Sequence, residues 1–234
     1  MPAENAPATG SIENVAVFDL SGKRTREECS GMRLRNVGVV LVPEDLPDLL
    51  ATADCQNIGA VVPVPQGTRV ESHAGQVEIA GATLAAGDEK SVLLLVGQVV
   101  VTGEVTQVGY RGLILVGQVV LPRSAQAAIA GKVLTQTGNL YYYEGVDPRV
   151  YMEDVRFTKA FFDLVQEPLN LVLIGDSTFA ADVTPELLRQ KVRHLALIGD
   201  ATVENPDLQP LLQYLARPAA GSIAVASAGN GSAS

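Results

Sequence analysis

The chain predicts an α/β or mostly β fold: an irregular parallel-strand solenoid with repeats of roughly 20–24 residues and short helices. Three observations carry this. The phrase Leu95-Val96-Gly97-Gln98-Val99-Val100 returns unchanged as Leu115-Val116-Gly117-Gln118-Val119-Val120, 20 residues later. Asn36-Val37-Gly38-Val39-Val40 is echoed by Asn57-Ile58-Gly59-Ala60-Val61 at an offset of 21. Leu171-Val172-Leu173-Ile174-Gly175-Asp176 is echoed by Leu195-Ala196-Leu197-Ile198-Gly199-Asp200 at an offset of 24. A recurring glycine marks a corner where φ turns positive or another backbone passes close. Continuous apolar runs such as Val92 to Val96 and Leu113 to Val116 suit parallel strands buried on both faces.

Taken in order, residues 1–11 are small, polar and proline-bearing, the composition of a disordered tail. Asn14 to Leu20 reads as a first strand closed by Ser21-Gly22, and Lys23 to Ser30 as a loop or one short helical turn. Pro43 to Ala51 predicts a helix, with acidic residues in its first turn and Leu46, Leu49 and Leu50 on one face. Val70 to Ala80 returns to strand alternation, and Gly75, Gly97, Gly117 and Gly138 then mark successive corners. Residues 145–170 depart from the spacing, with a turn at Val146-Asp147-Pro148-Arg149 and helical apolar spacing from Met152 to Leu164. Thr184-Pro185 and Asn205-Pro206 each supply a capping side chain followed by proline at the first helical position. The resulting division is a disordered tail over 1–11, a glycine-ladder region over 12–144, an irregular break with a helix over 145–170, two strand-helix units over 171–217 and a disordered tail over 218–234.

Composition narrows the function classes. With 234 residues and 47% hydrophobic content the chain can bury a core. A net charge of −9 argues against a nucleic-acid partner, which demands clustered Lys and Arg to neutralise phosphates. No run reaches the ~18 apolar residues of a membrane span. Residues 1–14 have no apolar segment of the kind a secretory signal carries, so the expected setting is cytoplasmic, with Cys29 and Cys55 as reduced thiols.

Catalytic motifs are incomplete in this chain. Gly175-Asp176-Ser177 resembles the nucleophile block of GDSL-type esterases, but no downstream Asp-x-x-His supplies the base, and Gly199-Asp200-Ala201 repeats the corner without the serine. Neither a Gly-Lys-Ser/Thr loop nor Gly-x-Gly-x-x-Gly occurs, and no cofactor is implied. His73 falls in an expected loop, and His194 at a helix-to-strand junction. Asp176 and Asp200 are expected about 5 Å apart at equivalent corners, a spacing at which stacked carboxylates can attract a cation. Tyr141, Tyr142 and Tyr143 form the one aromatic cluster in a chain that is 5% aromatic, and at least one ring must face outward from a strand, a candidate contact surface.

In architecture alone the Gly-Gln-Val ladder is similar to the glycine-punctuated coils of bactofilin-type β-solenoids, and the strand-helix units to irregular leucine-rich repeats. The asparagine signature of the latter is missing, and the expected helix at Pro43 to Ala51 is foreign to the former, so no functional residue carries over. The expectation is a non-enzymatic structural or protein-interaction protein whose partner is itself or another protein. The alternative is a hydrolase or transferase with its site near Tyr141–Asp154 or at Asp176 and Asp200.

Overall fold

The computed structural model describes residues 10–23 and 25–226. Its strands form mostly parallel sheets joined by a few short helices, in two compact units. One comprises Met1–Val99, Val105–Val119 and Ala127–Leu140, the other Val100–Glu104, Val120–Gln126 and Tyr141–Ser234. The expected tails over 1–9 and 227–234 lie outside the described residues.

In the first unit, β1 (Ser11–Asp19), β2 (Arg33–Pro43) and β3 (Asp54–Val64) pair parallel in that order. The register sets Val15 against Val37 and Val37 against Ile58. A four-stranded sheet follows in chain order from β4 (Arg69–Ala80), β5 (Ser91–Thr102), β6 (Gly112–Pro122) and β7 (Val133–Tyr143), with β5 to β7 each crossing from the first unit's residues into the second's. Each of β1 to β7 carries an asparagine or glycine near its middle, and at Asn14, Asn36 and Asn57 φ is 57, 52 and 57°. Asparagine tolerates this left-handed conformation better than most residues, and its amide can bond locally. At Gly97, with φ of 101°, an added Cβ would stand 2.5 Å from the Gly75 carbonyl oxygen, so only glycine fits. Val39, Leu41, Val62 and Val64 from the first sheet pack against Val92, Leu94, Val96 and Ile114 from the second. Because Val40 and Val42 are as buried as Val39 and Leu41, β2 is covered on both faces, which explains its continuous apolar run.

The helix expected over Pro43 to Ala51 does not form. Val42 and Pro43 stay in the ladder opposite Pro63 and Val64, and only Leu49–Thr52 makes a single 3-10 turn. Pro47 disfavours helical geometry at Leu46, and Leu49 is fully buried beneath the turn with Leu46 and Leu50 packed against the same cluster. The short turn Glu27–Cys29 matches its expectation. Two five-residue helices, α1 (Gly81–Ala85) and α2 (Ala125–Ile129), complete the connections.

The second unit adds β8 (Arg149–Tyr151), β9 (Val155–Phe157), α3 (Lys159–Asp163), β10 (Leu169–Ile174), β11 (Ser177–Phe179), α4 (Pro185–Lys191) and β12 (Val192–Ile198). It ends with β13 (Ala201–Val203), α5 (Gln209–Leu215), β14 (Ala216–Ala220) and β15 (Ile223–Val225). Two four-stranded parallel sheets result, β14-β12-β10-β8 and β15-β13-β11-β9. Phe157, Phe162 and Phe179 are fully buried at the centre of this unit, with Phe157 and Phe179 rings 5.1 Å apart. Thr184 and Asn205 cap as expected: the Leu187 N–H donates to Thr184 Oγ1 and the Asp207 N–H to Asn205 Oδ1.

Two boundaries move. Residues 145–170 are no interruption, since β8 and β9 pair with β10 and β11. The helix expected from Met152 to Leu164 shrinks to α3, because Phe157 pairs with Phe179 across the sheet while Thr158 Oγ1 accepts from the Phe161 N–H and starts the helix only there. At the other end, Ala219 and Ala220 pair with Leu197 and Ile198, and β15 with β13, so strand pairing reaches beyond residue 218. Composition hides this because the pairing is made by backbone groups, which small residues supply as well as large ones.

Candidate functional site

The tyrosine cluster divides by strand alternation. Tyr143 is 1% exposed among Val100, Val120, Val172 and Ile174, and its hydroxyl donates to the Val101 carbonyl at 3.0 Å. It is therefore removed from the expected contact surface: a phenol this deep needs its acceptor inside the protein. Tyr141 is half-buried against the same cluster. Tyr142 is also half-buried, and its burial raises the phenol above its usual range.

Carboxylates cap the backbone at the strand corners: Asp154 at the Asp176 corner and Asp200 at the Ser222 corner that follows it. The Ser222 N–H and hydroxyl donate to Asp200 Oδ1 at 2.8 and 2.9 Å, and the Asp176 N–H donates to Asp154 Oδ1 at 3.2 Å. The Asp154 and Asp200 carboxylates thus each reach the backbone of the next corner, and Asp176 takes part through its N–H. The bond from the Ser222 N–H, followed by that from its hydroxyl, holds the Asp200 carboxyl below the usual range. Among the described residues no group of three or more His, Cys, Asp or Glu side chains is placed to hold a metal ion.

His73 lies in β4 rather than a loop, and His194 in β12, in register with Asn170. His194 opens into a recess of about 360 Å³ lined also by Glu144, Arg193, Tyr214, Leu215 and Arg217. The Arg217 guanidinium stands 5.7 Å from the centre of the Tyr214 ring, and Tyr214 is 70% exposed. Glu144 is paired with Arg123. Sequence reasoning missed this grouping because Glu144, His194 and Arg217 meet only through strand order. Planar guanidinium groups beside a half-exposed imidazole suit a carboxylate or phosphate, and a histidine can move a proton there.

A second kind of site is built from side-chain ladders and sheet edges. Asn57 Nδ2 donates to Asn36 Oδ1 at 2.8 Å, and Asn36 Nδ2 to Asn14 Oδ1 at 2.9 Å. The ladder is exposed, not buried. Gln76 Nε2 likewise donates to Gln98 Oε1 at 2.7 Å, and Gln98 to Gln118 at 3.4 Å. The edge strands differ in how they meet solvent. β1 carries Glu13 and Asp19; β4 carries Arg69, Glu71 and Glu78; β14 carries Arg217 and Pro218. β3 begins at Asp54 and contains Pro63. The Val64 carbonyl accepts from the Glu44 N–H that follows β2, so by alternation Pro63 faces the outer edge, where it has no N–H to offer. Among the described edge strands longer than three residues, β7 alone has neither charge nor proline from end to end.

Both cysteines are free, Cys29 buried and Cys55 exposed on β3; desolvation raises the Cys29 thiol above its usual range, and partial desolvation followed by the Asp54 charge raises that of Cys55. Among the described residues no helix is long and apolar enough to cross a membrane. No protein family, no curated protein and no solved structure matches this chain.

Proposed function

We propose that the chain is a non-enzymatic cytoplasmic scaffold, an irregular parallel-strand solenoid of 20–24-residue repeats that associates with itself or with another protein. The observation that carries this reading is the pair of amide ladders, Asn14-Asn36-Asn57 and Gln76-Gln98-Gln118, whose members are 20–22 residues apart and hydrogen-bonded in sequence order. Stacking equal lengths of chain aligns like residues into rows and leaves long strand edges, which proteins must cover, blunt or use for association. The test is light scattering on size-exclusion fractions over a hundredfold concentration range. Mass rising with concentration is expected; a monomer throughout defeats self-assembly.

A second reading, a hydrolase or transferase, is favoured by the recess that brings Glu144 and His194 together beside Arg193 and Arg217. It calls for turnover of an ester or phosphoester substrate that is abolished in His194→Ala. Turnover unchanged in that variant defeats it.

A further inference from the structure

Resting on the self-associating scaffold reading, we infer that the interface is the edge of β7 over Val133 to Leu140, which no strand among the described residues covers, and that its occupant is the same strand of a second copy, paired antiparallel about a twofold axis at Gln136.

The choice of edge follows from what the other edges carry. Charged side chains and proline are the ordinary means by which an edge strand is kept from pairing. β1, β3, β4 and β14 have them and β7 has none. Along Val133-Leu134-Thr135-Gln136-Thr137-Gly138-Asn139-Leu140 the chain is β-prone and uncharged, with Leu134 50% exposed and residues 136–139 exposed. Strands of this composition pair readily when left open.

The choice of occupant follows from charge and from register. Copies that each carry −9 repel one another, and an uncharged strand is where that repulsion is locally weakest. The Lys132 carbonyl accepts from the Leu113 N–H on β6. Alternation then turns the backbone groups of Leu134 and Gln136 toward β6 and those of Val133, Thr135 and Thr137 outward. A twofold axis at Gln136 sets Thr135 of one copy opposite Thr137 of the other, twice, and both are outward-facing, as a hydrogen-bonded antiparallel pair requires. The same register places each Leu134 opposite a Gly138, which leaves room for the exposed leucine, and pairs threonine with threonine. A contact that uses one patch on both copies closes on itself.

The experiment compares the full chain with Thr137→Lys and with Gln190→Lys, which adds the same charge at an exposed position on α4. Light scattering over a hundredfold concentration range is read beside thermal melts that verify folding. The expected result is a dimer for the parent and for Gln190→Lys, with the dissociation constant of Thr137→Lys raised about tenfold or more. In a Cys55→Ser background, Gln136→Cys should form a covalent dimer under mild oxidation, since facing Cα atoms in a non-hydrogen-bonded pair lie about 4.5 Å apart, within disulfide reach. Oligomers that persist unchanged in Thr137→Lys overturn this edge while leaving the scaffold reading intact. Loss of assembly in Thr137→Lys without the Gln136→Cys cross-link overturns the twofold pairing. A parent that stays monomeric overturns both.

Discussion

At Gly97 one added carbon decides whether the strand can exist. A methyl there would meet the Gly75 carbonyl oxygen at 2.5 Å, on a backbone with φ of 101° that alanine rarely adopts. Gly97→Ala is expected to cost roughly 2–3 kcal/mol, read from the urea midpoint, whereas Gly131→Ala meets nothing within 4 Å and should shift it little. Asp200 sets a different dependence at the same scale. Its carboxyl is held below the usual range by the Ser222 N–H, so the folded state binds a proton there less readily than the unfolded chain does. Its contribution is complete above the unfolded value of about 4 and is lost as pH falls through the folded value. Asp200→Asn should therefore flatten the acid limb of the stability curve, measured by thermal melts between pH 2 and 6, and leave the neutral region less affected; an unchanged acid limb contradicts the assignment.

At the scale of elements, α4 depends on its first residue. Thr184 Oγ1 accepts from the Leu187 N–H with Pro185 at the first helical position, so Thr184→Ala should cost about 1 kcal/mol in chemical denaturation and Thr184→Ser much less. This cap was legible in the sequence, as were Asn205-Pro206, the Gly-Gln-Val strands and the Gly-Asp corners, because each signal lies within a few neighbouring residues. The helices expected at Pro43 to Ala51 and Met152 to Leu164 fail for the opposite reason. Their local spacing is helical, but Val42, Pro43 and Phe157 gain more by pairing with Pro63, Val64 and Phe179, at positions no local window includes. Within the candidate site, Tyr143 departs from the expected contact surface because its acceptor, the Val101 carbonyl, is 42 residues away and leaves no local signal. Tyr110 is pushed up to about 12 by burial and then by its hydrogen bond to Glu71 at 2.9 Å, a bond that spans 39 residues and has no local signature either.

For the whole molecule, net charge sets the condition under which the proposed association would take place. Each carries −9, so association through an uncharged strand is opposed only by longer-range repulsion, which salt screens. Raising sodium chloride from 50 to 500 mM should tighten self-association, read as a fall in the dissociation constant by light scattering; weakening with salt instead points to an interface of opposite charges, such as the Arg193 and Arg217 recess against an acidic surface.

The uncharged edge of β7 sets the valence of the proposed association. A molecule with several unblunted strand edges is polyfunctional in the polymer sense and grows without limit, whereas charge or proline marks β1, β3, β4 and β14, so the proposed pairing stops at two copies. Converting Pro63 to threonine would restore a backbone donor to the β3 edge, and with a second reactive edge fibres rather than pairs are the expected product.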